Sequence, residues 1–252
     1  YLWPNHHWLS QTILFLTYQN FGFWGLSFLN AFLMTATFFL FYLTVQNSSL
    51  ERITGIILMV FLGWSVFSFG IRSQEWGFFF FSLMLFLCLK SKEYPKLVLF
   101  FPLVLWLWAN THGGSVILGL ILLFLLFSPL PFFLCQPRKT LFLAAIYLLS
   151  ALLTLINPFG LAIYQEAWRH FAGVDLSRLI AEWVPPHPFI RWLILLGGLL
   201  EALLIRTLLP LPFLFLTLNA RRHLPFYFLV FFFSLLQNQR KTDFFDRLLR
   251  NL

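Results

Sequence analysis

Charge is scarce in this chain. Only 10% of its 252 residues are Asp, Glu, Lys or Arg, against about 25% in ordinary soluble domains. With 60% hydrophobic residues, that composition excludes a soluble globular domain. Apolar stretches of membrane-spanning length follow one another with short polar breaks, the pattern of a polytopic helical membrane protein. Strands of a transmembrane barrel would alternate polar and apolar residues, and runs such as "GLILLFLLF" (119–127) do not. Cysteine is nearly absent. Cys88 and Cys135 sit at ends of apolar runs assigned below to the cytoplasmic side, where a structural disulfide is not expected.

Other absences narrow the chemistry. The sequence contains no P-loop, no Rossmann glycine pattern, no HEXXH zinc pair, no GxSxG nucleophile elbow and no cysteine-pair metal site. Ionisable residues inside the apolar runs, which mark pumps and ion pathways, reduce to Glu201. That scarcity argues against an ion-coupled transporter. The net charge of +8 reflects membrane topology, in which Lys and Arg gather in cytoplasmic loops, and implies no nucleic-acid partner.

What is present reads as a single all-α transmembrane domain over residues 1–252, a bundle of about nine spans plus interfacial helices. The expected spans are Phe23–Val45, Ile53–Phe69, Trp76–Leu89, Leu97–Trp108, Val116–Leu134, Leu141–Ile156, Ile190–Ile205, Leu208–Leu218 and Leu224–Leu236. Trp8–Tyr18 is apolar but short, as an interfacial or re-entrant helix would be. Pro210 and Pro212 make Leu208–Leu218 a broken helix, because proline removes a helix hydrogen bond. The long segment 157–189 carries "LAIYQEAWRHF" (161–171), which puts Leu161, Tyr164, Trp168 and Phe171 near one face, as in a helix lying in the interface.

Orientation follows from the loops. Placing residues 46–52 inside puts Arg52, Lys90, Lys92, Lys96, Arg138, Lys139, Arg206, Arg240, Lys241, Arg247 and Arg250 on the cytoplasmic side. Arg72, Arg169, Arg178, Arg191, Arg221 and Arg222 then lie outside, eleven against six of the 17 basic residues. All six histidines (His6, His7, His112, His170, His187 and His223) also fall outside, with every chemically varied loop. Such asymmetry is expected of a site facing the periplasm or cell exterior.

Each outer stretch has two readings. In "WANTHGG" (108–114), Gly113 and Gly114 supply positive φ to a tight turn with Asn110 and Thr111 as caps, or Asn110 and His112 hydrogen-bond a substrate. In "IRSQEW" (71–76), Arg72, Gln74 and Glu75 form a loop ion pair of little weight, or Arg72 binds phosphate through its planar fork of donors. "NARRHL" (219–224) places Arg221 and Arg222 where positive charge is disfavoured; lipid headgroups or a phosphorylated substrate would explain them. "NPFG" (157–160) reads as a turn ending a helix. Glu182 in "EWVPP" is an ordinary exposed carboxylate or a catalytic one. "NHHW" (5–8) offers His6 and His7, but adjacent histidines point apart on a helix and no third ligand is evident.

Taken in order, "HHWLSQ", "RSQEWGFFFFSLMLF", "LWANTHGGSVILGL", "NPFGLAIYQ", "EWVPP" and "ARRHLPFYFLV" resemble the motifs of a group of bacterial multispanning proteins of the GT-C glycosyltransferase type. Those read approximately as H-E-W-L, R-P-Q, W-x-N-x-H-G-G, N-P-x-G, E-W and S-R-R-x-x-P-x-F at the equivalent places. The resemblance covers nearly the whole chain, and its strength lies in six weak motifs in one order. It departs at His7, where the group usually has Glu, and at Ser73, where it usually has Pro.

The resemblance implies transfer of a sugar from a polyprenyl-phosphate carrier to an acceptor on the extracytoplasmic face of the bacterial inner membrane. Arg221 and Arg222, with Arg72, match the phosphate-stabilising role, because a departing phosphate needs positive charge where negative charge develops. Gln74, Asn110, His112 and His7 stand at the other motif positions and are carried as substrate-binding candidates. The group's base sits on a first outer loop expected before "HHWLSQ", so an upstream span and acidic loop are expected before Tyr1. Among the outer carboxylates in the chain, Glu182 is the candidate for that role. No cofactor is evident; a divalent metal, used by some GT-C enzymes, finds no ligand set here. Membrane lipids and a sugar acceptor complete the expected partners. The alternatives are a lipid-linked-sugar flippase and a non-catalytic membrane scaffold.

Overall fold

The computed structural model describes residues 5–45, 49–62, 71–91, 93–127, 137–172, 183–205 and 209–238. Among them every regular element is helical and none is a strand. The helices are α1 (Trp8–Thr44), α2 (Ser49–Leu62), α3 (Gln74–Lys90), α4 (Phe101–His112), α5 (Val116–Phe127), α6 (Pro137–Leu153), α7 (Ala162–Ala172), α8 (Pro188–Ile205), α9 (Leu211–Asn219) and α10 (Leu224–Asn238). Short 3-10 turns occupy Pro95–Phe100, Gly113–Ser115 and Arg221–His223. The chain divides into two compact units, residues 1–40 with 70–175, and residues 41–69 with 176–252.

Among the described residues two segments, Trp8–Thr44 and Pro95–Leu125, are long and apolar enough to cross a membrane. Neither is a straight rod. In α1 the helix breaks at Gly22, whose φ of 59 and ψ of −152 lie where a side chain is strongly disfavoured. The break separates the short N-terminal helix from residues 23–44, close to the two pieces expected from the sequence. At ~1.5 Å per residue the second piece is about as long as a hydrocarbon core is thick. It exposes Phe23, Trp24, Phe28, Phe32 and Phe39.

The second segment doubles back on itself. His112, with φ −147 and ψ 65, interrupts the helix. A Cβ added to Gly119 would lie 2.8 Å from Leu105 Cδ2 and 2.5 Å from Trp108 Cζ3. Residues 105 and 119 of a continuous helix would be about 21 Å apart, so α4 and α5 run side by side as a helical hairpin. Having no side chain, Gly119 lets Trp108 and Leu105 lie directly against the α5 backbone.

In the first unit α6 packs on both helices of the α4–α5 hairpin, and so does α3. Its buried residues, Phe78, Phe80, Phe81, Met84, Leu85, Leu87 and Cys88 among them, cover most of its circumference, as expected of a helix apolar all round. Trp108 is fully buried and packs on Phe80 and Phe81 at ring separations of 6.2 and 6.4 Å. Cys88 is fully buried; Cys135 lies outside the described residues.

In the second unit α8, α9 and α10 pack on one another, and α10 also packs on α2. Pro210 is the residue before α9 and Pro212 lies in its first turn, where the missing N–H costs nothing. The prolines start this helix rather than break it. Tyr227 donates from its hydroxyl to the Ile194 carbonyl at 3.3 Å, fastening α10 to α8. Glu201 on α8 is only 3% exposed, and neither of its oxygens has a partner among the described residues. Arg206, within sequence reach of it, lies outside them.

Candidate functional site

Two stretches 100 residues apart meet in the first unit. The α4–α5 turn closes on the N-terminus of α1: the Gly113 N–H donates to the His6 carbonyl at 2.9 Å, and the Ser10 hydroxyl to the Thr111 carbonyl at 2.7 Å. The Trp8 indole donates to Asn110 Oδ1 at 3.1 Å. Asn110 Nδ2 in turn donates to the carbonyls of Trp106 and Ile156 at 2.9 and 3.1 Å. Asn110 is 4% exposed, and both ends of its amide are engaged in joining α1, α4 and the segment after α6.

Read as a simple tight turn, Gly113 and Gly114 would supply positive φ. Gly113 instead has φ −55, and the described glycines with positive φ are Gly22 and Gly160. What the pair supplies is closeness. A Cβ at Gly113 would sit 3.3 Å from both His6 Cβ and Ile163 Cγ2, and one at Gly114 would sit 3.2 Å from His6 Nε2.

His112 is 2% exposed, and its Nδ1 is hydrogen-bonded to Ser115 Oγ. Ser115 Oγ also accepts from the Trp108 indole at 2.8 Å and donates to the His112 carbonyl at 3.1 Å. One proton arrangement satisfies all three contacts: Ser115 accepts from Trp108 and from His112 Nδ1–H, and donates to the carbonyl. It leaves the lone pair of the neutral ring on Nε2. The His7 ring stacks on His112 at 4.6 Å with 14° between planes, and His6 lies 4.0 Å from His7. Nitrogen lone pairs lie in the ring plane, so parallel stacked imidazoles do not aim at one ion. Among the described residues no three His, Cys, Asp or Glu side chains are grouped to hold a metal.

"NPFG" forms the turn expected of it. Asn157 Nδ2 donates to the Thr154 carbonyl at 2.7 Å, its Oδ1 accepts from Phe159 N at 2.8 Å, and Gly160 has φ 51. The turn presents the Ile156 carbonyl to Asn110 and to the Trp106 indole, which donates at 2.9 Å. The helix expected over 161–171 is α7. Trp168 and Leu161 are exposed, while Ile163, Glu166 and Ala167 face inward. Glu166, which is not on the face of Leu161, Tyr164, Trp168 and Phe171, is 1% exposed and pairs with Arg169 at 3.5 Å.

At the start of α3, Glu75 is 7% exposed. Its Oε1 accepts from the Arg72 backbone N–H at 3.3 Å. With its amide turned so that nitrogen faces the carboxylate, Asn30 of α1 donates to both Glu75 oxygens at 2.7 and 2.8 Å. Burial pushes the Glu75 carboxyl up to about 7, against the pull of the Arg72 amide and charge. Gln74 is the first residue of α3 and, like Arg72, belongs to this unit.

In the second unit another pair of motifs meets. The Arg221 N–H donates to the Val184 carbonyl at 3.1 Å. The Arg222 guanidinium lies 4.4 Å over the Trp183 ring, and His223 meets the same ring edge-on at 6.2 Å. His223 is half-buried, yet its Nδ1 is shut off from solvent and has no hydrogen-bond partner among the described residues. Burial, with the Arg222 charge beside it, pushes His223 down to about 3. Glu182, the candidate base, precedes Trp183 in sequence and lies outside the described residues.

The sequence-predicted residues therefore fall into two groups. His7, Arg72, Gln74, Asn110 and His112 belong to the first unit, and Arg221 and Arg222 to the second. Trp8, Ser10, Asn30 and Ser115 escaped sequence reasoning. Asn30 alone carried a usable signal, as an amide within an expected span. Comparison with protein-family models, with curated proteins and with solved structures finds no match to this chain.

Proposed function

We propose that the protein is an integral membrane glycosyltransferase of about nine spans. In this reading it moves a sugar from a polyprenyl-phosphate carrier to an acceptor hydroxyl on the extracytoplasmic side. The observation that carries it is the turn Arg221–Arg222–His223, whose second guanidinium rests on Trp183. Two adjacent guanidiniums on a short turn suit a phosphate, and the aromatic face holds one of them in a defined orientation. The acceptor oxygen attacks the anomeric carbon, the bond from that carbon to the carrier phosphate oxygen breaks, and its electrons stay on the phosphate. Arg221 and Arg222 stabilise that charge. The acceptor proton goes to a carboxylate; Glu182, one residue before Trp183, is the candidate.

The test is turnover of a radiolabelled polyprenyl-phosphate sugar by membranes carrying the intact protein. R222A is expected to reduce turnover at least a hundredfold and R222K to restore part of it. Wild-type turnover by R222A overturns the assignment.

A second reading, the non-catalytic scaffold, draws on Asn110 and His112. Both are buried: Asn110 bonds α1 to α4, while His112 bonds Ser115 within the turn and stacks on His7, which is what structural residues do. Absence of sugar transfer by the intact wild-type protein, given donor lipids and a range of acceptors, would favour it.

A further inference from the structure

A groove of about 270 Å³ opens on the second unit between the first half of α8 and the end of α9, lined by Pro188, Arg191, Trp192, Leu195 and Leu218. Its composition is divided. Pro188, Leu195 and Leu218 make an apolar bed, and Arg191 is its single charged residue. Arg191 is exposed, with no side-chain hydrogen bond or ion pair among the described residues. No acidic residue occupies the first turn of α8, so nothing in the helix balances an arginine that also sits at the unfavourable end of its dipole. No described residue supplies an anion to Arg191, and a lipid phosphate at its depth would.

The rest of α8 says which kind. Below Arg191 the helix exposes Trp192, Leu196, Leu199 and Leu203, an apolar face continuous with the groove. The helix has 18 residues, about 27 Å of rise, which nearly matches a hydrocarbon core of ~30 Å. Arg191 and Trp192, one turn from its start, then sit at headgroup depth, where tryptophan and snorkelling cations are found.

The geometry points to a binding site for one anionic phospholipid of the surrounding bilayer. Its phosphate pairs with Arg191, and one acyl chain lies along Leu195 and Leu218 under the Trp192 ring. The site rests on the membrane reading above and is independent of any transferase activity. A bidentate guanidinium–phosphate pair sets the headgroup, and the groove gives the chain a fixed place where the open face of α8 would leave it mobile.

Native mass spectrometry of the detergent-purified intact protein, with added phosphatidylglycerol or phosphatidylcholine, tests this. Phosphatidylglycerol adducts should survive activation in the wild type and fall about tenfold in R191Q, with R191K intermediate and phosphatidylcholine adducts unchanged. L218W, which fills the groove from α9 and leaves Arg191 in place, should lower them as well. Equal phosphatidylglycerol retention by wild type, R191Q and L218W overturns the site. Displacement of phosphatidylglycerol by an equal concentration of a polyprenyl phosphate overturns the phospholipid as its occupant. Alkaline extraction separates the two levels: protein left in the membrane pellet upholds the membrane reading whatever R191Q does, whereas protein released from it removes both.

Discussion

The indole N–H of Trp8 reaches Asn110 Oδ1 across 102 positions of sequence, at 3.1 Å. That bond and the two donated by Asn110 Nδ2 make one amide the junction of three chain segments. Removing it takes the acceptor from the Trp8 indole N–H and loses both bonds donated by Nδ2, at about 1–3 kcal/mol. N110A and N110D should both lower the thermal midpoint in detergent, N110D because a carboxylate cannot donate to the Trp106 and Ile156 carbonyls. W8F loses one bond and should cost less, about 1 kcal/mol. An N110A protein that melts with the wild type would show that the junction contributes nothing.

Gly119 makes a sharper packing test. Its missing Cβ leaves room for Trp108 Cζ3, which would stand 2.5 Å from it. The ring cannot swing aside, since it is fully buried and its N–H is held by Ser115. G119A should cost about 1–3 kcal/mol through overpacking. Gly197 on α8 is the control, because a Cβ there meets nothing closer than 3.9 Å. G197A should be neutral or stabilising by up to ~1 kcal/mol, as alanine is the better helix former. Equal melting of G119A and wild type would mean that α4 and α5 do not pack as described.

Much of this architecture was legible in the sequence, for a physical reason. Helix and turn are local properties: the apolar runs gave the helices and Asn157 with Gly160 the end of one, whereas Pro210 and Pro212, read as a break, start α9. The site was less legible because its contacts are not local. Asn110 and His112 stood out as polar residues in an apolar chain, but one sequence cannot tell a buried amide serving its neighbours from one serving a ligand. Gly113 and Gly114 suit a positive φ or a close approach equally well in the sequence, and the opposing His6 shows that close approach is what they serve. Glu166 depends on contacts of the same kind: its inward face is set by α7 packing on the 3-10 turn after α4, a partner the helical wheel does not contain.

Glu75 should titrate near neutrality. Its carboxyl is raised from 4.5 to about 7, burial being the main cause. A group raised in the folded state contributes stability that is full below the unfolded value and lost as pH rises through the folded one. The midpoint difference between wild type and E75Q should therefore shift against the wild type as pH is taken from below 4.5 to above 7. Asn30 donates to both carboxylate oxygens and so favours the ionised form, and N30L should move the transition to higher pH. A difference that stays flat across that window would show that Glu75 keeps its ordinary value.

His223 gives the opposite slope. Burial and the adjacent Arg222 lower it from 6.5 to about 3, so the folded protein resists the proton that the unfolded chain accepts. Its contribution is present above 6.5 and drains away as pH falls toward 3. Replacing the ring by a neutral residue should leave stability above 6.5 little changed and make the acid limb shallower; H223N, read against wild type, isolates that limb. R222Q removes the second cause and should raise the His223 value, which the chemical shift of a labelled imidazole reports directly. The same variant loses the contact over Trp183, worth about 0.5–2 kcal/mol, so R222Q alone confounds the two. A cycle with W183L separates them: coupling that vanishes in W183L is the ring contact, and coupling that persists is charge on His223. An imidazole that titrates near 6.5 in the wild type would mean the ring is reached by water, and that the Arg221–His223 turn is looser than a site built to hold a phosphate requires.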